Sequence, residues 1–494
     1  MQLSKLLAPI LLKKITDTID TLDITGITAD SRKACPGCLF VALKGHTVDG
    51  HDFVAGAVEQ GAVAAVVERE VEGLPVPQII VHNTRDVVPI LASTFYRHPS
   101  HSMKVIGVTG TNGKTTVTNL IDKILTDQGH RTGLIGTIKN RIGNQEYDAA
   151  NTTPEALELQ ETFHRMKEFG TEYVAMEVSS HALDLKRVAG TRFRTAVFTN
   201  LTQDHLDFHG SMEKYRNAKG KFFSQLGNTY EDRLVDNRFA VINADDPEAG
   251  FFIGQTVAQV VTYGIDKEAD VRGLNVQIEA GGASFTLASF AGSIDLHLQM
   301  TGKFSVYNAL AAAAACLCEG VGLSAIKASL ESVSGVDGRF ERVVAGQDFT
   351  VIVDYAHTPD SLENVLKTIR EFAKGKVYTV VGCGGDRDRT KRPIMARIAA
   401  AYSDVAIITS DNPRTEDPEK ILDDMEQGLT DVSRDRYVRL TDRKDAIRHA
   451  VGQAVAGDVV LIAGKGHETY QIIGTTKHHF DDREVAVQAI RGEL

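Results

Sequence analysis

Apolar residues along this chain alternate between two spacings. Short continuous runs rich in Val, Ile and Ala recur at 173–178, 195–199 and 239–243, and between them lie stretches with an apolar residue every third or fourth position. The runs read as buried strands and the intervening stretches as one-sided helices, so the chain predicts repeated strand–helix units on largely parallel sheets. Residues 1–100 read as a small α/β unit, with strands at 38–43 and 78–82 and a helix at 53–60. The polar, proline-bearing segment Tyr96-Arg97-His98-Pro99-Ser100-His101 reads as a linker to a larger α/β unit at 101–334, whose last helix is expected in the alanine-rich run after Asn308. Gly335-Val336-Asp337-Gly338 marks the next break. In 335–494, strands at 349–354, 377–381, 405–409 and 459–463 alternate with helices such as 362–372, the pattern of a doubly wound, Rossmann-like domain. The expected fold class is therefore α/β in three domains.

Length agrees, since 494 residues exceed one ordinary core and about 150 residues per domain is usual. Apolar residues at 43% and charged residues at 24% exclude a disordered chain. A formal net charge of −11 with no long basic run argues against nucleic acid or an anionic membrane as partner. The stretch Leu6-Leu7-Ala8-Pro9-Ile10-Leu11-Leu12 is apolar, but no small-residue cleavage site follows, so a short amphipathic helix is expected there and not a signal peptide. No apolar run approaches the ~18 residues of a bilayer span, and a cytoplasmic monomer is expected. Cys35-Pro36-Gly37-Cys38 has the spacing of a metal or redox pair, yet it lacks a second pair and is expected to have no such role.

One segment carries chemistry by itself. Gly110-Thr111-Asn112-Gly113-Lys114-Thr115-Thr116 stands between the apolar run 105–108 and a helical stripe of Val117, Leu120, Ile121, Ile124 and Leu125. Strand, glycine loop and helix in that order form a phosphate cradle from backbone N–H groups and the helix N-terminus. Lys114 can reach the terminal phosphates and Thr115 can ligate Mg²⁺, so ATP is the expected ligand. The loop departs from the strict G-x-x-x-x-G-K-[ST] pattern, because Val108 holds the first glycine's place. Two more strand ends crowd carboxylates and imidazoles, at Glu177-Val178-Ser179-Ser180-His181 and at Asp204-His205-Leu206-Asp207-Phe208-His209. Near Lys114 their oxygens suit Mg²⁺ during phosphoryl transfer. Taken singly, Glu177 would read as a cap or surface residue and His205 as a satisfied core histidine.

Together, the phosphate loop, Asn151-Thr152-Thr153-Pro154, the blocks 177–181 and 204–219, and Asn308 resemble the Mur ligase family over essentially the whole chain. The resemblance implies ATP-dependent amide-bond formation in peptidoglycan precursor synthesis, with an N-terminal UDP-sugar-binding domain, a central ATPase-like domain and a C-terminal amino-acid-binding domain. It implies that Gly110 to Thr116, Asn308, Arg339 and Asp354 bind ATP, and that Lys114, Lys219 and His205 are catalytic. Thr115, Glu177, His205 and Lys219 would hold Mg²⁺. Lys219 matches the lysine that the family carbamylates with CO₂, which turns a cation into an anion suited to a metal site; the alternative is an unmodified surface lysine, with Lys221 close by. Ser31, His46, Thr47, Val48, Asn151, Thr152, Thr153, Ser179 and Arg187 match contacts to the UDP-muramyl-peptide. The Asp354-Tyr355-Ala356-His357-Thr358-Pro359 motif would pack near the nucleotide when the third domain closes, with Arg339 on the hinge side.

In the third domain Arg387, Asp411, Asn412, Pro413, Arg414, Gly464 and Glu468 fall on three loops that could meet around one amino acid. Asp411-Asn412-Pro413-Arg414 resembles the motif of the branch that adds meso-diaminopimelate to UDP-N-acetylmuramoyl-L-alanyl-D-glutamate (UDP-MurNAc-L-Ala-D-Glu). Diaminopimelate differs from lysine by a distal carboxylate, which a planar guanidinium binds through two hydrogen bonds. A charge-assisted bond worth about 1.5–3 kcal/mol implies roughly ten- to a hundredfold preference. The lysine-adding branch, the folate polyglutamate ligases and a nucleotide switch without ligase activity are the competing readings. Arg414 argues against the first two, and amino-acid-dependent phosphate release would exclude the third.

Overall fold

Strands that are apolar on both faces must be covered on both, and this chain builds three sheets of that kind. The structure, a computed structural model, describes residues 1–45, 48–227, 237–279 and 281–493. The N-terminal sheet has five strands in the order 14–15, 78–80, 64–67, 38–41 and 26–28, parallel except for the first. The expected helix over residues 6–12 is displaced: it is Leu3–Leu7, with Leu3, Leu6 and Leu7 buried and Leu11 and Leu12 exposed. Pro9 stands just past its end and offers no N–H to carry the helical hydrogen bonding further. At the Cys-x-x-Cys segment the Cys35 N–H donates to Cys38 Sγ at 3.3 Å in the turn that enters the strand Cys38–Val41.

The central sheet has eleven strands, and its parallel middle runs 132–135, 173–177, 104–109, 193–198, 239–243, 259–264 and 271–279. From Lys104–Thr109 the chain departs toward Thr132–Ile135; from its neighbour Phe193–Phe198 it departs the opposite way, toward Phe239–Asn243. The carboxyl ends of strands at such a reversal open a crevice for a ligand. Ile106 and Val108 pack with the helices Lys114–Asp127 and Lys303–Cys318, while Val105 faces Phe163 and Phe222 on the other side. The last helix of this region is Leu323–Ser332; the alanine-rich helix precedes it and begins at Lys303, so Asn308 lies within that helix. The alanine run is buried on all sides and so has no polar face to mark its start.

The C-terminal sheet orders its strands 341–343, 350–354, 459–463, 377–383, 405–410 and 437–439, parallel except for the first. Val377 and Val381 pack with Leu362, Leu366 and Met395 on one face, and Tyr378 and Val380 with Ala446, Ile447 and Val485 on the other. This strand alternation is what a doubly wound domain needs. A separate hairpin, Tyr470–Ile473 and Thr476–His479, lies beyond the expected pattern. Among the described residues no helix is long and apolar enough to cross a membrane.

Candidate active site

The phosphate loop begins where the strand Lys104–Thr109 ends. Val108 pairs with Glu177 on one side and Val197 on the other, so the strand runs through the position where the strict motif has glycine. The turn needs its freedom later, at Gly113, where φ is +87° and an added Cβ would lie 2.5 Å from Asn308 Oδ1. Lys114 opens the helix and its Nζ donates to the Gly110 and Thr111 carbonyls at 2.9 and 2.7 Å. The neighbouring strand end braces the loop: the Asn112 N–H donates to Asn200 Oδ1 at 2.9 Å, and Thr199 Oγ1 donates to the Asn112 carbonyl at 2.6 Å. Asn112 Nδ2 in turn donates to Asp360 Oδ2 at 2.8 Å, joining the loop to the C-terminal domain.

Two adjoining cavities lie over this loop. The larger, about 500 Å³, is walled by both the central and C-terminal domains and includes Asn112, Thr116, Asn308, Arg339, Asp354 and Asp360. The smaller, about 210 Å³, is lined by Lys114, Thr115, Glu177, Asp204, His205 and Lys219, with Thr152 and Ser179 at its wall. Arg339 donates to Thr115 Oγ1 at 3.1 Å and stacks 4.7 Å from the Tyr355 ring, so it reaches the phosphate loop from the joint between domains. Asp354 accepts the Phe340 N–H at 2.6 Å, and burial raises its pKa.

Burial in the smaller cavity lowers the pKa of three of its bases, Lys114, Lys219 and His205. Burial, followed by the charge of Lys114, takes Lys219 well below the ordinary lysine range; Lys219 is 1% exposed and its Nζ donates to the Gly110 carbonyl at 2.8 Å. It is therefore no surface lysine, whereas Lys221 is half-exposed and pairs with Asp184 at 2.8 Å. Burial also brings the His205 pKa to about 4, which leaves its imidazole lone pair free for a metal at neutral pH. Glu177 accepts the Thr137 N–H at 2.8 Å. Among the described residues no three His, Cys, Asp or Glu side chains converge to hold a metal unaided. A Mg²⁺ here fits only if Thr115, Glu177 and His205 are joined by further anionic oxygens, as a carbamate on Lys219 and a phosphate would supply.

Residues matched to the muramyl-peptide divide. Thr153 donates to the Glu177 carbonyl at 2.9 Å and accepts the Ser179 N–H at 3.1 Å, which fixes both beside the smaller cavity. Arg187 donates to the Thr153 carbonyl at 3.1 Å and pairs with Glu155 at 2.8 Å, so its guanidinium already has an anionic partner. Asn151 and Val48 are exposed, and Ser31 opens a short turn capped by Asp30. Ser31 and Val48 line neither cavity. His46 and Thr47 lie outside the described residues.

The three C-terminal loops do meet. Lys465, fully buried, donates to Asn412 Oδ1 at 3.0 Å and Glu468 Oε2 at 3.3 Å, and Asn412 Nδ2 donates to the same Glu468 oxygen at 2.9 Å. Burial, with Asp411 beside it, raises the Glu468 pKa. Arg414 takes left-handed backbone and donates to the Gly385 carbonyl at 2.8 Å. The hairpin holds it on both sides: its N–H donates to the Ile472 carbonyl at 3.1 Å and its carbonyl accepts the Gly474 N–H at 2.7 Å. Arg387 is exposed and Pro413 buried, and the Gly464 N–H donates to the Asp354 carbonyl at 3.0 Å, tying this cluster to the nucleotide side. Sequence reasoning missed Asp360, Thr137, Lys465 and the hairpin. Lys465 stood within a glycine-flanked motif and Asp360 directly after the Asp354 to Pro359 motif, so position was the available signal.

Three family matches cover most of the chain: Mur ligase family, catalytic domain, at 23–96; Mur ligase middle domain at 108–316; and Mur ligase, glutamate ligase domain, at 338–466. The UDP-N-acetylmuramoyl-L-alanyl-D-glutamate–2,6-diaminopimelate ligase of Bacillus cereus is 55% identical over 472 residues, 96% of this chain and 95% of its own. The ligase of the same name from Oceanobacillus iheyensis is 49% identical over 99% of both chains. A solved structure of a ligase with that name is 34% identical, with a TM-score of 0.70, covering 100% of this chain and 99% of its own. With its three sheets, its phosphate loop and these matches along its length, the chain belongs to the Mur ligase family.

Proposed function

We propose that this chain is the ATP-dependent ligase that adds meso-diaminopimelate to the D-glutamate of UDP-MurNAc-L-Ala-D-Glu in cytoplasmic peptidoglycan precursor synthesis, working as a monomer. The observation that carries the reading is 55% identity along nearly the whole length of a ligase of that name, in a chain that carries Asp411-Asn412-Pro413-Arg414. We place the domain joints near residues 100 and 334, so that 1–100 takes the UDP-sugar, 101–334 the ATP and 335–494 the amino acid. Ser31, His46, Thr47 and Val48 belong to the first of these sites, and Asn151 to Thr153, Ser179 and Arg187 carry the muramyl-peptide into the second.

A carboxylate is a poor acyl donor, so the D-glutamate carboxylate must first be activated. ATP sits in the larger cavity with Asn308 and Arg339, its phosphates on the 110–116 loop, and Lys114 exchanges its loop carbonyls for phosphate oxygens. Mg²⁺ held by Thr115, Glu177, His205 and carbamylated Lys219 would neutralise phosphate and carboxylate charge. Lys219 Nζ, once its ammonium has given up a proton, would form its bond to CO₂ and lose a second proton to become the carbamate. The carboxylate takes the γ-phosphoryl group and ADP leaves. The amine of diaminopimelate then attacks the acyl phosphate carbonyl and phosphate departs from the tetrahedral intermediate. Asp411, Asn412 and Glu468 orient one end of the amino acid, and Arg387 and Arg414 take its distal carboxylate. Mass spectrometry of the nucleotide product tests the reaction: a gain of one diaminopimelate less one water supports it, and unchanged substrate contradicts it.

A further inference from the structure

Arg387 and Arg414 stand on different loops, so the distance between their guanidinium groups depends on what ties loop 384–389 to loop 411–416. A charge cluster away from both cavities makes that tie. Arg392, fully buried in the first turn of the helix Lys391–Tyr402, donates to both Glu416 carboxylate oxygens at 3.0 and 2.8 Å. It also donates to Asp424 at 2.8 Å and to the Gly384 carbonyl at 3.3 Å. Glu416 Oε1 accepts, in addition, the Asp386 N–H at 2.5 Å. Asp386 returns the link, its carboxylate accepting the Thr415 hydroxyl at 2.8 Å and the Thr415 N–H at 3.2 Å. One residue before Asp386 the Gly385 N–H donates to the Asn412 carbonyl at 2.9 Å, and the backbones approach so closely that a Cβ at 385 would lie 1.9 Å from the Pro413 carbonyl oxygen.

The bonds therefore flank Arg414 and fix the two residues just before Arg387, 385 with 412 and 386 with 415 and 416. We infer that Glu416, held in place by Arg392, is a positioning residue that sets the two-arginine clamp and so the choice of diaminopimelate over lysine. This rests on the proposed function. A bidentate arginine–carboxylate contact depends on fixed geometry, and displacement of either loop by a fraction of an ångström weakens it. The Arg392 hydrogen bonds hold the Glu416 carboxyl below its ordinary range, so the tie is charge-assisted at neutral pH.

Glu416→Ala is the informative variant, because Arg392 keeps Asp424 as a partner and the buried guanidinium is not left alone. Steady-state kinetics with diaminopimelate, lysine and ATP varied in turn give the readout. The expected result is a KM for diaminopimelate raised about tenfold, kcat within about threefold, an unchanged KM for ATP, and a diaminopimelate-over-lysine preference reduced by a similar factor. Glu416→Gln, which keeps an acceptor for the Asp386 N–H, should recover most of the loss. An unchanged KM and preference in Glu416→Ala would overturn the inference, and so would equal rises in the KM for ATP and diaminopimelate with a lowered Tm. If the wild-type protein releases no phosphate with diaminopimelate, it is the proposed function that fails.

Discussion

Arg414 and Lys219 concentrate the account into two side chains. Removing the guanidinium in Arg414→Ala should raise the KM for diaminopimelate about ten- to a hundredfold while turnover with lysine hardly changes, as kinetics with each amino acid would reveal. Lys219→Ala should be nearly inactive and regain part of its activity with added short carboxylates; full activity in the variant would remove the carbamate from the mechanism. Two partly buried histidines, His205 and His467, have pKa values brought down to about 4, chiefly by desolvation. An unfolded histidine titrates near 6.5, so the stability they lend is complete above that pH and is lost as pH falls toward 4. Thermal melts should show Tm dropping across that window, less steeply in His467→Gln. Lys219 was legible from its place in the 204–219 block, yet only its burial separates it from Lys221. Arg392 and Glu416 were not legible, since a lone charge in sequence says nothing about which loop it ties to which.

At the scale of elements, the helix Pro359–Phe372 carries the contact between domains. Asp360, in its first turn, gathers the Asn112 amide at 2.8 Å, the Thr202 hydroxyl at 2.8 Å and the Asn364 amide at 3.2 Å on one carboxylate oxygen. An acidic residue there also complements the helix dipole. Asp360→Ala should therefore raise the KM for ATP by about three- to tenfold and leave that for diaminopimelate within about twofold, a split that initial-rate measurements would resolve. Strands buried on both faces, such as Phe239–Asn243 and Val459–Ala463, lie where the apolar runs placed them. The ribbons at the edges of the central sheet and the hairpin over Arg414 escaped because their strands include exposed ones that carry polar residues, as Gln145–Asp148 and Thr476–His479 do. Their pairing comes from tertiary neighbours, which override local propensity.

For the whole molecule, the division of the site matters most: the larger cavity takes walls from two domains, while the loops proposed for the amino acid follow strands of the third sheet alone. An acyl phosphate must be kept from water, so ATP analogue and UDP-MurNAc-L-Ala-D-Glu together should compact the protein in small-angle scattering, and an unchanged radius of gyration would count against closure. Composition and spacing already pointed to three α/β domains and a phosphate loop; how the domains meet rests on contacts such as Asn112 with Asp360, separated too far in sequence for any local pattern to reveal. The central claim is most directly tested by phosphate release with ATP, Mg²⁺ and UDP-MurNAc-L-Ala-D-Glu, comparing meso-diaminopimelate, L-lysine and no amino acid. Release with diaminopimelate and little with the other two is the expected result. Equal or greater release with lysine would contradict the role given to Arg414, and no release with either would contradict the ligase reading itself.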